Sequence, residues 1–231
     1  MIHPKVVAVD GPSGSGKSSV SKGVARVFGF EYLDTGAMYR AATWQVLHEG
    51  VDLGEPVAIA SAATAVTIIS GTDPDAATIH VGDTDVSDPI REGDVTAAVS
   101  AVSAVPAVRM FMLGLQRSVV AASVARGNGI VVEGRDIGTE VLPDADAKIY
   151  LTADPAVRAA RRAAEDSQAE RGGSDVAATE QALRDRDVLD TTRTASPLRM
   201  ADDAVLVDAS ELDLEETIQA VCDVVRNART V

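Results

Sequence analysis

Residues 5–19 read KVVAVDGPSGSGKSS, an apolar run that leads directly into a glycine-rich turn. The apolar part, 5–10, is rich in β-branched side chains and predicts a buried strand. A helix is predicted to begin at about Lys17 and to end at Phe28. Between the strand and the helix, residues 11–19 match the pattern G-x-x-x-x-G-K-[ST]. A strand, a glycine loop and a helix in this order predict the start of an α/β fold.

The pattern describes a loop that binds phosphate groups, a P-loop. Glycines let the backbone curl so that successive N–H groups point inward, and the helix N-terminus adds positive potential. Lys17 can then reach the β- and γ-phosphates of a nucleotide, and Ser18 can ligate Mg²⁺. The predicted nucleotide-binding residues are Gly11, Pro12, Ser13, Gly14, Ser15, Gly16, Lys17, Ser18 and Ser19.

A dinucleotide-binding loop is the main alternative interpretation of the same glycines. Gly14 and Gly16 begin the pattern G-x-G-x-x-G, and Asp34 lies at the end of the second predicted strand, where such folds keep a ribose-binding acid. Ser19 occupies the position of the third glycine, however, and Lys17 has no role in that scheme. The P-loop is therefore favoured over the dinucleotide loop and over a glycine turn that binds no ligand.

The later elements continue the alternation of strands and helices and indicate a parallel sheet. A second strand is predicted at 30–34, and the helix that follows it is predicted to end at Gly50. Further strands are predicted at 129–133, 147–153 and 203–210, with a helix beginning near Pro155 and another at the end of the chain.

The middle of the chain breaks this alternation. Residues 63–70 and 77–82 predict two strands of an antiparallel hairpin, because a turn-rich stretch separates them. Two alanine-rich helices are predicted at 92–104 and 106–124. The region from about 60 to 105 is therefore interpreted as an insertion into the α/β domain.

Composition and charge exclude several classes of protein. Hydrophobic residues make up 46% and charged residues 24%, as in a water-soluble globular protein. The net charge of −14 argues against general nucleic-acid binding, which needs a basic stripe. The sequence predicts neither a membrane-spanning helix nor a signal peptide. The single cysteine, Cys222, is predicted to lie in the core and fits a reducing cytoplasm. The scattered histidines do not predict a metal cage.

Charged side chains follow two of the predicted strands. LDTGAMYR (33–40) follows the second strand, and EGRD (133–136) ends the strand at 129–133. The carboxyl ends of parallel strands open on one crevice, so both segments are expected near the P-loop, facing a phosphoryl acceptor. Charges at the end of an apolar strand are costly without partners, so Arg135 and Asp136 are interpreted as held for a ligand. An ion pair between Glu133 and Arg135 is the alternative.

Arginine supplies 17 of the 21 cationic residues, and eight arginines fall between Arg158 and Arg199. The planar guanidinium suits phosphate groups. Surface helices with i, i+4 charge pairs would give the same composition, and both interpretations stay open at this point. The sequence contains neither the N-K-x-D motif of GTPases nor the L-S-G-G-Q motif of ABC ATPases.

Taken together, these motifs resemble the bacterial cytidylate kinases, a family of P-loop nucleoside monophosphate kinases. The similarity covers nearly the whole chain, including the inserted hairpin. Many family members have D-G-R-D where this chain has E-G-R-D, so the resemblance gives Glu133 no role. The segments that carry the resemblance are, in order, GPSGSGKSS, LDTGAMYR, DVSDPIR, VSAVSAVPAVR, EGRDIGTEVLPDA, KIYLTADPAVRAARR and DRDVLDTTRTASPL.

The resemblance implies transfer of the γ-phosphoryl group of ATP to CMP or dCMP, with Mg²⁺, in pyrimidine nucleotide metabolism. It implies a three-layer P-loop NTPase-type α/β fold and a cytoplasmic monomer that acts on small molecules, not on nucleic acid or membranes. It also implies a single domain over 1–231, with a core at 1–59, 125–155 and 200–231, an NMP-binding insertion at about 60–105, and a short lid at about 158–186. The stretch AERGGSD (169–175) is expected to form a mobile lid loop.

The resemblance also assigns roles to residues at matching positions. Base recognition is implied for Thr35, Ser100, Arg109 and Asp136, the acceptor-phosphate clamp for Arg40, Arg135 and Arg193, and the sugar and acceptor end for Arg186 and Asp190. Tyr39 joins the CMP-binding set, Ser18 is the expected metal ligand, and Arg158, Arg161 and Arg162 are expected at the ATP phosphates. The expected catalytic residues are Lys17, Arg135, Arg158, Arg186 and Arg193. Surface positions are expected for Arg184, Arg199, Arg226 and Arg229.

The chemistry of cytosine is consistent with these roles. Cytosine has a donor amine at position 4 and acceptors at N3 and O2. Uracil has an acceptor at position 4 and a donor at N3. Asp136 would accept from the amine and repel a uracil carbonyl, while Arg109 could donate to N3 or O2. The alternatives are a kinase for UMP, AMP or a metabolite such as shikimate, and a nucleotide-sensing module that binds ATP without turning it over.

Overall fold

A computed structural model describes residues 6–168, 176–192 and 196–228 of the chain. The predicted loop at 169–175 and Arg193 lie outside these residues. The chain forms two compact units. Unit 1 contains the described residues up to Phe30 and from Val131 onward, and unit 2 spans Glu31–Ile130.

Strands and helices alternate along most of the described chain, and three short strands follow one another in its middle part. The strands are β1 (Val6–Asp10), β2 (Glu31–Asp34), β3 (Ile68–Ser70), β4 (Ile79–Val81), β5 (Thr84–Asp85), β6 (Ile130–Gly134), β7 (Ala147–Thr152) and β8 (Val205–Asp208). The helices are α1 (Lys17–Phe28), α2 (Thr35–His48), α3 (Pro56–Thr64), α4 (Gly93–Ser103), α5 (Pro106–Ala125), α6 (Pro155–Gln168), α7 (Val176–Thr192) and α8 (Leu214–Asn227). A 3₁₀ turn covers Pro89–Arg91, and a single π-helical turn covers Ile137–Val141.

Five strands form a central parallel sheet in the order β2-β6-β1-β7-β8, and β3, β4 and β5 form a small antiparallel sheet. In the parallel sheet Asp10 lies beside Tyr150, and Thr152 lies beside Asp208. This architecture confirms the α/β fold that the sequence predicted. Because the strands are parallel, β1 and β6 end at the same edge of the sheet, which places Asp10 and Gly134 there.

The core of unit 1 explains the apolar runs in the sequence. All five residues of β6 are buried, as are Val7 to Asp10 of β1, because a parallel sheet is covered on both faces. Cys222 is buried on α8, which confirms its predicted place in the core. At Gly23 of α1, a Cβ atom would lie 2.3 Å from Cδ1 of Ile218. Glycine therefore lets α1 pack directly against α8.

Unit 2 departs from the prediction at the hairpin. The strand predicted at 63–70 begins only at Ile68, because Pro56 starts helix α3 and its alanine-rich sequence continues to Thr64. A short third strand, β5, was not predicted. It follows a tight turn at Gly82, whose φ of 57° favours glycine. The predicted division into core, insertion and lid stays a prediction.

Helix α5 is long and apolar enough, by length and composition, to cross a membrane. The sequence predicted a helix at 106–124 but did not predict one that could span a membrane. Core helices of globular proteins share these properties, and α5 packs against α3 and α4 of unit 2. Its buried positions include Arg109 and Gln116. The helix is therefore only weak evidence for a membrane.

Candidate active site

The glycine loop after β1 is shaped by close backbone contacts. Gly11 has a φ of 151°, and a Cβ atom there would lie 2.0 Å from the carbonyl oxygen of Leu151. Gly14 has a φ of 75°, and its Cβ atom would lie 2.9 Å from the carbonyl oxygen of Arg158. Only glycine fits both positions, so the loop packs closely against the backbones of β7 and α6. The first turn of α1 then presents N–H groups at Lys17 and Ser18, as an anion-binding loop requires.

The side chain of Lys17 is buried and folds back over the loop. Its Nζ donates to the carbonyl oxygen of Pro12 at 2.6 Å and to Oγ of Ser15 at 3.4 Å. Burial and, to a smaller extent, the charge of Arg135 together lower the pKa of Lys17 to about 7, while Glu133 opposes the shift. A bound anion would stabilise the charged ammonium of Lys17, so this buried lysine favours the binding of phosphate.

Arg135, which follows β6, contacts the loop directly. Its Nη1 donates to the carbonyl oxygen of Gly11 at 2.9 Å, and its Nε donates to Asp190 of α7 at 2.9 Å. The segments around Lys17 and Arg135 therefore meet in unit 1, as the sequence predicted. The carboxylate that pairs with Arg135 in this contact comes from Asp190, 55 positions away, and not from the neighbouring Glu133 of the alternative interpretation.

Arg158 joins helices α6 and α7 to the loop. Its Nη1 donates to the carbonyl oxygen of Ser13 at 3.0 Å and to Asp187 at 2.5 Å. The same carboxylate accepts from the backbone N–H of Ser13 at 3.4 Å. A carboxylate thus lies against a loop N–H group. Asp187 was not predicted as a site residue, although its spacing of three from Asp190 places both acids on one face of α7.

The other arginines of α6 and α7 have different surroundings. Arg161 donates to the carbonyl oxygens of Ala209 at 2.7 Å and Leu212 at 3.0 Å, so it anchors the segment between β8 and α8. Burial lowers the pKa of Arg186, and the charges of Arg135 and Arg162 add to this effect, while Asp190 and Asp187 oppose it. The Nε of Arg186 is buried and makes no hydrogen bond within the part of the chain that the structure describes. A cluster of cations with an unused buried donor favours an anionic ligand.

Asp136 is buried at the start of the π-helical turn. The first N–H groups of that turn donate hydrogen bonds to the side chain of Asp10, which ends β1. Oδ1 of Asp10 accepts from the N–H of Ile137 at 2.8 Å, and Oδ2 accepts from the N–H of Gly138 at 2.7 Å. Burial raises the pKa of Asp10 to about 6. Asp10 was missed in the sequence, although an acid that ends an apolar strand directly before a glycine loop was a usable signal.

Unit 2 holds a second group of predicted residues. Arg109 is buried on α5, and its guanidinium lies 5.7 Å from the ring centroid of Tyr39. Arg40 of α2 donates through Nη1 to Oγ1 of Thr96 at 2.9 Å and to the carbonyl oxygen of Ile90 at 3.1 Å. Thr96 was not predicted; its contact with Arg40 spans 56 positions and leaves no local signal. The remaining predicted residues of this unit are Thr35, which is buried at the start of α2, and Ser100, which is half-buried on α4.

The predicted site residues therefore form two groups. Unit 1 contains the loop residues from Gly11 to Ser19 together with Arg135, Asp136, Arg158, Arg162, Arg186 and Asp190. Unit 2 contains Thr35, Tyr39, Arg40, Ser100 and Arg109.

Comparison with known proteins gives relatives over the whole chain. A family model for cytidylate kinase matches residues 7–227. The cytidylate kinase of Streptomyces griseus subsp. griseus is 57% identical, over 97% of this chain and 94% of that protein. The cytidylate kinase of Mycolicibacterium paratuberculosis is 51% identical, over 98% and 97% respectively. These similarities cover both units described above.

Solved structures share the fold at much lower identity. A gluconokinase from Sinorhizobium meliloti matches with a TM-score of 0.50 and 17% identity, over 99% of this chain and 95% of that chain. An uncharacterized protein from Eubacterium ventriosum matches with a TM-score of 0.53 and 11% identity, over 96% and 98%. At these identities the likeness supports the fold alone.

Proposed function

The chain belongs to the cytidylate kinase family, and on that premise we propose how its residues divide the reaction between them. The enzyme transfers the γ-phosphoryl group of ATP to CMP or dCMP, which yields ADP and CDP or dCDP. Phosphoryl transfer requires little acid–base chemistry, because alignment of the two substrates and neutralisation of charge supply most of the rate.

Unit 1 binds the phosphates of ATP. The observation that supports this most is the convergence of cations at the glycine loop: Lys17 folds over it, and Arg158 bonds the carbonyl oxygen of Ser13. The depressed pKa values of Lys17 and Arg186 mean that both side chains gain from a nearby anion. Arg158 already bonds the loop at Ser13, and it moves to the phosphates only when Asp187 releases it. Arg162 contributes charge to the same group.

Mg²⁺ is the cofactor that this chemistry uses, bound together with ATP. The exposed hydroxyl of Ser18 in the first turn of α1 is the protein ligand, since Mg²⁺ prefers a few hard oxygen atoms and keeps most of its other positions for phosphate and water. A bound ion would neutralise charge on the phosphates, while Lys17 holds them in place.

In unit 1, the residues for the acceptor follow the end of β6 and lie on α7. Arg135 contacts its phosphate, Asp136 accepts the N4 amine of cytosine, and Arg186 and Asp190 hold the sugar and the acceptor end. In unit 2, Arg109 is oriented by its contact with the ring of Tyr39 and is the group that can donate to N3 or O2 of cytosine. The resemblance adds Thr35, Arg40 and Ser100 of unit 2, and Arg193, which lies outside the described residues.

The proposed enzyme is a cytoplasmic monomer that acts on small molecules. The net charge of −14 gives nucleic acid no basic surface to bind. The single cysteine, Cys222, is buried and fits a reducing compartment.

A phosphoryl-transfer screen tests the proposed function. Purified protein would be mixed with ATP, Mg²⁺ and CMP, dCMP, UMP, AMP or shikimate in turn, and ADP release would be measured. We expect CMP and dCMP to give the highest kcat/KM, with UMP weaker and the others near background. Faster turnover of another acceptor would contradict the assignment of the base-binding residues. Absence of ADP release with every acceptor would favour a nucleotide-sensing module instead.

Asp136→Asn is expected to reduce the preference for CMP over UMP. The amide can donate to the uracil carbonyl that the carboxylate repels, so the ratio of kcat/KM values should fall by roughly tenfold to a hundredfold. The ratio would be measured with both acceptors at saturating ATP. Asp144→Asn, which changes an exposed acid shortly after the π-helical turn, serves as the matched control and should leave the ratio unchanged. An unchanged ratio in Asp136→Asn would remove Asp136 from the base site.

A further inference from the structure

Asp10 is a buried acid in unit 1 that the roles above do not use. It ends β1, directly before the glycine loop, and only 4% of it is exposed. Both of its carboxylate oxygens accept backbone hydrogen bonds, from Ile137 at 2.8 Å and Gly138 at 2.7 Å. These donors lie 127 and 128 positions further along the chain. Two charge-assisted bonds from one buried carboxylate fix this turn firmly in place.

The turn that Asp10 holds follows directly on Arg135 and Asp136. It is a single π-helical turn, Ile137–Val141, a geometry that is rare and often marks functional sites. Its N-terminal cap comes from the side chain of Asp10 rather than from Asp136, the residue in the cap position. The side chain of Asp136 is thus not used to cap its own turn.

A second tie joins the same two segments. Arg135 bonds the carbonyl oxygen of Gly11, the residue after Asp10. Gly138 adds to the close packing, since a Cβ atom there would lie 3.2 Å from Cδ of Lys148 and 3.4 Å from Oδ2 of Asp10. The consecutive residues Asp10 and Gly11 therefore both bond the segment that follows β6.

We propose that Asp10 is a positioning residue for the acceptor: its ionised carboxylate holds the segment 135–138 so that Arg135 and Asp136 meet the phosphate and base of CMP. The inference rests on the proposed function of Arg135 and Asp136. The ionised carboxylate accepts both N–H groups most strongly, because protonation turns one oxygen into an O–H donor and makes it a weaker acceptor for the N–H group that it faces. Acceptor use should therefore depend on the charge of Asp10.

Several charged groups act on Asp10 from the elements around it. Its pKa is raised to about 6, mainly by burial, and the negative charge of Asp136 also raises it. The N–H groups of Gly138 and Ile137 and the charge of Lys17 on α1 oppose this rise. Tyr150 of β7 lies beside Asp10 of β1 in the sheet. Lys148, also on β7, packs against Gly138, which in turn lies against the carboxylate of Asp10. Glu133 and Arg135 from β6 and the following segment act on Lys17, the counterion of Asp10.

The effects of pH on activity and on stability then have opposite signs. The ordinary pKa of 3.8 is raised to about 6, so the contribution of Asp10 to stability is fully present below pH 3.8 and is lost as the pH rises through about 6. Positioning needs the ionised form, so acceptor use should instead fall as the pH drops through about 6. A residue with a structural role alone would not make acceptor use fall at the pH values where its contribution to stability increases.

Asp10→Asn tests the proposal. The amide oxygen can accept one N–H group, but the NH₂ group would face the other. We expect kcat/KM for CMP at pH 7.5 to fall roughly tenfold or more, the CMP-to-UMP ratio to fall with it, and ATP affinity by calorimetry to change much less. In the wild type the CMP-to-UMP ratio should drop through about pH 6, and in Asp10→Asn this step should be absent. The ratio cancels protonation of the acceptor phosphate, which both substrates share.

Asp146→Asn is the matched control. Asp146 also accepts a backbone N–H group, that of Val6 at 2.8 Å, at the other end of β1. Its substitution should lower the melting temperature slightly and leave the pH step in place. If Asp10→Asn does not fold, the wild-type pH profile alone decides: a CMP-to-UMP ratio that is constant from pH 8 to pH 5 overturns the proposal. So does a step that persists unchanged in a folded Asp10→Asn.

The proposal and the proposed function fail in different ways. If Asp10→Asn behaves like the wild type while Asp136→Asn loses selectivity, Asp10 is not a positioning residue but the base site stands. If Asp136→Asn also keeps full selectivity, the base site itself is wrong.

Discussion

Replacing Lys17 with methionine is expected to lower kcat by roughly a hundredfold to a thousandfold and to raise the melting temperature of the ligand-free protein by a few degrees. The ammonium group neutralises charge on the transferred phosphate, and methionine fills similar space without it. Below about pH 7 the folded protein holds this charge in a buried position, at a cost to its stability. The substitution removes both the catalytic charge and that cost.

The pH dependence of the stability gain follows from the same shift. The folded-state pKa of Lys17 is lowered from 10.5 to about 7, so the unfolded chain binds more protons between these values. Wild-type stability should therefore rise with pH across this window, and the advantage of Lys17→Met should be largest at about pH 6. Thermal unfolding at pH 6 and at pH 9 measures both effects.

Lys22→Met is the control for this experiment. Lys22 lies on the same helix as Lys17, five positions further along α1, and is only partly buried. Its replacement should preserve kcat and leave the melting temperature nearly unchanged. A Lys17→Met enzyme that keeps kcat within tenfold of the wild type would contradict the assigned role of Lys17.

Arg135→Ala is expected to lower kcat/KM for CMP by roughly a hundredfold to a thousandfold. The guanidinium is held by Gly11 and Asp190, so it is oriented before the acceptor arrives. Truncation removes this oriented cation from the acceptor phosphate. ATP affinity should change much less, because Lys17 and the N–H groups of the glycine loop remain, and the pKa of Lys17 should rise when the neighbouring charge is lost.

Titration calorimetry with ATP alone separates the two substrates in this variant. Arg226→Ala provides the comparison, since Arg226 also belongs to unit 1 and pairs with an acid, Asp223 on α8, at 2.7 Å. It should behave like the wild type with both substrates. Loss of ATP affinity as large as the loss for CMP would show that Arg135 serves the donor rather than the acceptor.

The parts of the fold that sequence predicted well are those with local signals. The β-branched run of β1 and the glycine pattern after it lie within fifteen residues, and the helix begins at Lys17 as expected. The boundary between α3 and β3 was missed, because alanine, valine and threonine at 63–67 are compatible with either structure. Strand β5 has only two residues, too few for a periodic pattern.

The partners of the site residues could not be predicted in the same way. Arg158 meets Asp187 across 29 positions, and Arg135 meets Gly11 across 124. Such contacts depend on how α7 and β1 pack, and nothing in the local sequence encodes them. Motif resemblance identified Arg135 and Asp136 as important, but it gave no reason to select Asp10, whose contacts appear only once the strands are paired.

A double-mutant cycle with Arg135→Ala and Arg186→Ala tests most directly whether both arginines, which lie close together in unit 1, act on one acceptor. The kcat/KM for CMP would be measured for the wild type, both single variants and the double variant. Two groups that share a ligand are coupled, so we expect the combined effect to differ from the sum of the single effects by more than about 1 kcal/mol. Additivity within about 0.5 kcal/mol would mean that the two residues act independently, and it would contradict the proposed acceptor site.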